Sequence, residues 1–377
     1  LAAVAGLSHF HSQPASLAIL QAFSDESFEV RKLACHSLAP LPKRELLGLR
    51  ASKNQLQAEC ACYVLASAKH EAARRLIPSL MLKLLKNIYT LYALELPLQS
   101  ISSPGALFLR NTLREQVEQY LDRVFWLVEP LCSQEDIRAI RRTLLGGDIL
   151  NQANAIETIE SLTSPQVAQL LAPLFDGTTP QGLVEQGVAK LSMRSFEDAS
   201  DVYQQFWPQL ANPDQESLTT DLFDSATREW IQGLTIYSIV EQTLLRTPSK
   251  LPKASILIAL VKTQTQESPF IQEVLKYATA HILISPEAIQ VEKPMLTAIE
   301  KVIFLKEVHF FQEVTIEQLR ILASICEEKH VEQGEKIFAE GDQEEALYVV
   351  VSGRVALQRQ VNRRISRLAV YESRQYF

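Results

Sequence analysis

All 17 prolines of this 377-residue chain lie at or before Pro294, and the last stretch, Met295 to Phe377, has none. Proline lacks a backbone N–H and has a fixed φ, so it starts short helices and is excluded from sheet interiors. The distribution predicts two architectures. Short helices with tight connections are expected over 1–290, and a sheet-containing region over 295–377. A chain of this length exceeds one ordinary core, which agrees with a division of this kind.

Local signals place the helix starts. Ser103-Pro104, Ser164-Pro165, Ser268-Pro269 and Ser285-Pro286 each put a hydroxyl at the N-cap and a preset φ at the first helical position. Ser133 with Asp136 forms a capping-box pattern, and Gly146-Gly147 offers the stop of the same helix. Leu17, Leu20 and Phe23 recur at helical spacing; after Ser24-Asp25 come Val30, Leu33, Ala34 and Leu38. The second-helix pattern returns imperfectly from Leu56, Asn151, Trp230 and Ile271. Such a pair cannot bury its apolar stripe alone, so it is expected to stack on neighbours as an α-solenoid. Loop breaks are expected near 177–187 and 248–253.

The segment SDESFEVRKLACHSLAPL resembles the second half of a HEAT repeat, with Asp25 in the turn, Arg31 following, and Ala34 and Leu38 inward. The resemblance implies a protein-binding helical array in which Asp and Arg pair along the stack. Later copies carry Gln, Asn or Ala in the arginine position.

From Leu296 the signals change. Leu296, Ile299, Val302 and Ile303 form an amphipathic helix, and Thr315 with Gln318 opens a second one. Short β-prone runs then follow at His330–Glu332, Ile337–Ala339, Leu347–Val351, Val355–Val361 and Ile365–Tyr371, separated by turn residues. Gly334, Gly341 and Gly353 stand at the corners, where backbone angles are costly for a residue with a Cβ. Read as a whole, Phe304 to Leu357 resembles the N-terminal part of a cyclic nucleotide-binding domain. The fold class that results is mostly α, a HEAT-like α-solenoid followed by a partial β-roll of jelly-roll type. In that family a helix N-terminus and an arginine hold the cyclic phosphate, while a glutamate takes the ribose hydroxyl. This cassette is expected beyond Phe377. No ligand-binding residue is therefore assigned, no cofactor is expected in this stretch, and cyclic nucleotide is expected for the complete domain.

Composition narrows the function classes. A net charge of −7 gives no general pull toward nucleic acid or anionic lipid. Arg354, Arg359, Arg363, Arg364, Arg367 and Arg374 are read as solvated strand faces, and Arg363-Arg364-Ile365-Ser366 resembles a basic phosphorylation site. Five irregularly spaced cysteines suit a reduced, cytoplasmic compartment, and Cys35, Cys60 and Cys62 read as buried helical residues rather than metal pairs. The histidines lack metal-ligand spacing, and no hydrolase, NTPase or dinucleotide motif occurs. No catalytic or metal residue is assigned, and the chain is expected not to be an enzyme. The start at Leu1 without Met suggests a fragment. Leu113 to Leu162 is similar to the soluble portion that follows the membrane domain in some bacterial ATP/ADP translocase-like proteins. That resemblance implies a regulatory extension, with the membrane reached only through an upstream domain. The alternative is a purely structural scaffold without a ligand.

Overall fold

The computed structural model describes residues 1–146, 149–210, 222–244, 253–263, 268–283, 295–343, 346–361 and 364–377. Among these the chain is mostly helical, with one two-stranded antiparallel sheet. Contacts divide it into two compact units, Leu1–Pro97 with Gln116–Glu197, and Leu98–Glu115 with Asp198–Phe377. The boundary expected between 290 and 295 falls within the second unit, next to residues outside the described set. Gly147, the loop at 248–252, Ser285-Pro286 and the turn residue Asn362 also lie outside the described residues.

The expected caps form where the chemistry supplies them. Ser103, Ser164 and Ser268 accept from the backbone N–H of Ala106, Val167 and Ile271 at 3.3, 3.4 and 3.2 Å. Ser133 and Asp136 close a reciprocal capping box. The break expected over 177–187 is shorter than that, because Thr179 caps a helix, Pro180–Leu191, that already contains Gly182 and Gly187. A Thr-Pro start outweighs the glycines that suggested a loop.

In the first unit the Gln55–Ser67 helix is buried without a break from Ala58 to Ala66. A helix that is apolar on every side belongs inside a core. Cys35, Cys60 and Cys62 are buried, as a reading of them as packing residues requires. In the Gln13–Gln21 helix the inward residues are Ala15, Ser16, Ile19 and Leu20, while Leu17 is 39% exposed. The expected three-residue spacing picks the wrong leucine because Phe23 sits in the following 3-10 turn rather than on the same helix. Arg31 is buried and donates to the backbone carbonyls of Asp25 and Glu26 at 2.7 and 2.8 Å. The carboxylate of Asp25 instead accepts from the Ser27 N–H at 2.8 Å. Arg31 therefore reaches Asp25 through main chain within one turn and ties that turn down, which is a local contact and not a pairing along a stack.

The second unit is built around the Ser225–Leu244 helix, whose buried residues include Trp230, Leu234, Ser238 and Gln242. Several polar groups in this core hydrogen-bond to one another. Tyr203 Oη lies 2.9 Å from Ser238 Oγ and receives Nε2 of Gln242 at 2.7 Å, and Ser238 lies 3.2 Å from Ser103 Oγ. Burial pushes the Tyr203 phenol up to about 12, so it stays a neutral member of this network. No helix among the described residues is long and apolar enough to cross a membrane.

Candidate functional site

Two helices lead into the region that carries the functional reading. The first, Ala298–Glu307, opens on a capping box between Thr297 and Glu300 and turns Ile299, Val302 and Leu305 inward. The second, Ile316–Ile325, opens on the expected Thr315–Gln318 box and buries Ile316, Leu319 and Ala323. Its first N–H also donates to Glu115 Oε1 at 2.7 Å, a negative group at the positive end of a helix. Arg320 fixes the other face, donating to the Ala226 carbonyl at 2.9 Å with its guanidinium 5.1 Å from the Trp230 ring centroid.

After Glu328 the chain turns on the three glycines. Gly334, Gly341 and Gly353 have φ of +86°, +98° and +85°, the region glycine enters without a Cβ penalty. The first two corners are copies of one device. In each the residue after the glycine, Glu335 or Asp342, gives its N–H to the carbonyl three residues back, Glu332 or Ala339, at 3.1 Å. Its carboxylate accepts the N–H of that same residue, at 2.8 Å for Glu332 and 2.7 Å for Ala339. Sequence reasoning missed a third copy at Glu372 to Gln375. There Gln375 N–H reaches the Glu372 carbonyl at 3.0 Å, Gln375 Oε1 accepts from Glu372 N–H at 2.8 Å, and the positive φ, +69°, falls on Arg374. A non-glycine at this position leaves no compositional trace, although the four-residue spacing to a side-chain acceptor is readable.

Of the expected strands, two form. β1 (Arg354–Val361) pairs with β2 (Arg364–Glu372), and Val355 and Leu357 lie opposite Tyr371 and Ala369. The register shifts between Leu357 and Gln358, leaving Leu368 unpaired, so the simple alternation expected along β1 is interrupted there. Leu347–Val351 contributes a short pairing: Val349 bridges Tyr376, and Tyr348 exchanges backbone hydrogen bonds with Phe377 at 3.1 and 3.0 Å. The runs 330–332 and 337–339 are not strands. Extended β-prone residues become a strand only when a neighbour supplies a ladder, and no described segment does so here.

These pairings gather Phe338, Tyr348, Tyr371 and Phe377 into one aromatic cluster. The Phe377 ring stacks on Tyr348 at 5.3 Å and lies 5.1 Å from Tyr371 and 6.0 Å from Phe338. Beyond Glu328 no described residue is helical, so the described part of this region presents no helix N-terminus to a phosphate. Among the described residues no group of three or more His, Cys, Asp or Glu side chains is arranged to hold a metal. The six arginines read as solvated lie accordingly where described: Arg354, Arg359, Arg367 and Arg374 are exposed. No known protein family matches the chain, and no curated protein and no solved structure is similar to it at a significant level.

Proposed function

We propose that this chain is a non-catalytic regulatory module, a HEAT-like helical scaffold for a protein partner coupled to a β-roll that senses a cyclic nucleotide. The observation that carries the reading is the positive φ at Gly334, Gly341 and Gly353, in a run that follows two capped helices and leads into a hairpin. The order of helix, helix, glycine corner, glycine corner and antiparallel hairpin supports a partial roll, and the aromatic cluster around Phe377 supplies its beginning of a core. The expected cytoplasmic setting, as an extension of a nucleotide-transporter-like protein, belongs to the same proposal.

Nucleotide binding shifts the module only if the ligand has different affinity for two states of it. The helices between 295 and 328 are the segment expected to differ, since they adjoin the corners in sequence. The test is calorimetry and hydrogen exchange on the natural full-length protein with cyclic AMP and cyclic GMP. Saturable binding with altered exchange over 295–328 is the expected result. No binding of either nucleotide, together with capture of a protein partner that ignores both, would replace the sensor by a purely structural scaffold.

A further inference from the structure

The hairpin carries a feature that nucleotide sensing does not use. Between Arg354 and Phe377 there are six arginines against one acidic residue, Glu372, in a chain of net charge −7. Within this basic stretch Ser366 is exposed, lies on β2, and follows Arg363-Arg364 in the sequence. The register sets Arg359 of β1 directly opposite Ser366. Directly opposed residues share one face of the ladder, with Cβ atoms about 4.5–5.5 Å apart, well within reach of an arginine side chain. Arg359 is at present only loosely engaged: its Nε lies 3.4 Å from Glu340 Oε1, with the two side chains 60% and 68% exposed. An exposed pair of this kind contributes little.

From this arrangement we infer that Ser366 is a phosphorylation site whose phosphate is received by Arg359 across the hairpin. The sheet has two strands only, so the outer edge of β2 has no ladder partner among the described residues. That edge presents an extended backbone of the kind another protein binds by strand addition. The enzyme is a serine/threonine kinase selective for arginine on the N-terminal side of its target, and the phosphoryl donor is ATP. Ser366 Oγ attacks the γ-phosphorus, the Oγ–P bond forms, and the bond to the β,γ-bridging oxygen breaks with its electron pair leaving on ADP. The hydroxyl proton passes to the kinase's catalytic carboxylate. The product carries about −1.5 to −2 charges and three strong acceptor oxygens. Arginine binds such a group through paired N–H donors, so Arg359 exchanges Glu340 for the phosphate. Glu340 belongs to the Gly341 corner, and modification therefore releases that corner from β1 while it pins the two strands together.

The inference does not rest on the cyclic nucleotide reading, because the hairpin register and the exposure of Ser366 hold for a purely structural roll as well. The test incubates the folded chain with magnesium-ATP and an arginine-directed serine/threonine kinase, then maps incorporation by peptide mass spectrometry and follows amide exchange. Incorporation at Ser366, lost in S366A and retained in R359Q, is expected. Exchange within 354–361 and 364–372 should slow by at least about threefold on phosphorylation, and R359Q should abolish that slowing. Incorporation only into denatured chain would overturn the site. Phosphorylation that leaves hairpin exchange unchanged or faster would overturn the role of Arg359.

Discussion

Arg123 clasps Glu59 inside the first unit, with Nη2 2.8 and 2.9 Å from the two carboxylate oxygens and Nε 3.2 Å from one of them. The side chains are 12% and 2% exposed. Gln55 donates a further hydrogen bond to Glu59 at 2.8 Å, and the Arg123 guanidinium lies 4.9 Å from the Tyr120 ring centroid. Burial alone would lower the arginine pKa; the facing Glu59 carboxylate and Tyr120 outweigh it and hold it above its ordinary value.

Removing one partner leaves a buried charge without its counterion. Glu59→Leu is expected to cost about 3–5 kcal/mol, whereas replacing both residues as Glu59→Leu with Arg123→Met is expected to cost far less than Glu59→Leu and Arg123→Met taken singly and summed. Urea unfolding of the three variants gives the comparison. Equal and additive losses would show that the pair matters through packing rather than charge.

A second, half-buried carboxylate behaves differently. Glu241 Oε2 accepts the Gly105 N–H at 2.8 Å near the start of the Pro104–Val128 helix. Burial raises its pKa above the ordinary 4.5, the hydrogen bonds from Gly105 and Ser103 oppose the rise, and the negative charge of Glu300 adds to it. A carboxyl whose folded pKa exceeds its unfolded one binds protons more readily when folded, so stability increases as pH falls through the folded pKa and levels off below the unfolded one. Glu241→Gln keeps an acceptor for Gly105 and removes the titration. The stability of the wild type relative to this variant should therefore rise between neutral pH and the ordinary carboxylate range, as read by urea unfolding at each pH. A flat difference would contradict the raised pKa.

The corner device gives a prediction of opposite sign at two of its copies. An added Cβ at Gly341 meets no atom within 4 Å, so Gly341→Ala pays only for the left-handed backbone, about 1–2 kcal/mol. At Arg374 the penalty is already present, and Arg374→Gly relieves it while losing an exposed ion pair to Glu307 at 2.7 Å. Because such pairs contribute about 0–1 kcal/mol, the glycine variant should be neutral to stabilising. Hydrogen exchange of the Asp342 amide, which closes the Gly341 turn, and of the Gln375 amide, which closes the Arg374 turn, reports each change locally.

Much of this was legible where the controlling interaction is local. Ser133 with Asp136, Thr315 with Gln318 and the three glycines each act over four residues or fewer, and the sequence displays both ends of the contact. The Glu59–Arg123 pair joins residues 64 apart, and the Tyr203–Ser238 contact joins residues 35 apart. A glutamate within the apolar run LQAECACYVLA signals that something must neutralise it, but only packing decides which arginine does. The same limit explains 330–332 and 337–339, whose β-prone residues cannot declare whether a neighbouring strand is there.

Trp207 offers the sharpest test of the second unit's core. Its indole Nε1–H donates to Thr263 Oγ1 at 2.8 Å, and both residues are fully buried. The Thr263 hydroxyl in turn donates a hydrogen bond to the Ala259 carbonyl at 2.7 Å, one turn earlier in its helix. Thr263→Val preserves shape but strands the indole N–H away from water, which costs about 1–3 kcal/mol. Trp207→Phe removes the donor and leaves a cavity, so it is expected to cost more on its own. Once the donor is gone, however, the hydroxyl has nothing to receive, and adding Thr263→Val to Trp207→Phe should cost clearly less than it does in the wild type. Thermal or urea unfolding of the four proteins measures that coupling, and a coupling near zero would mean that the tryptophan is held by its apolar contacts alone.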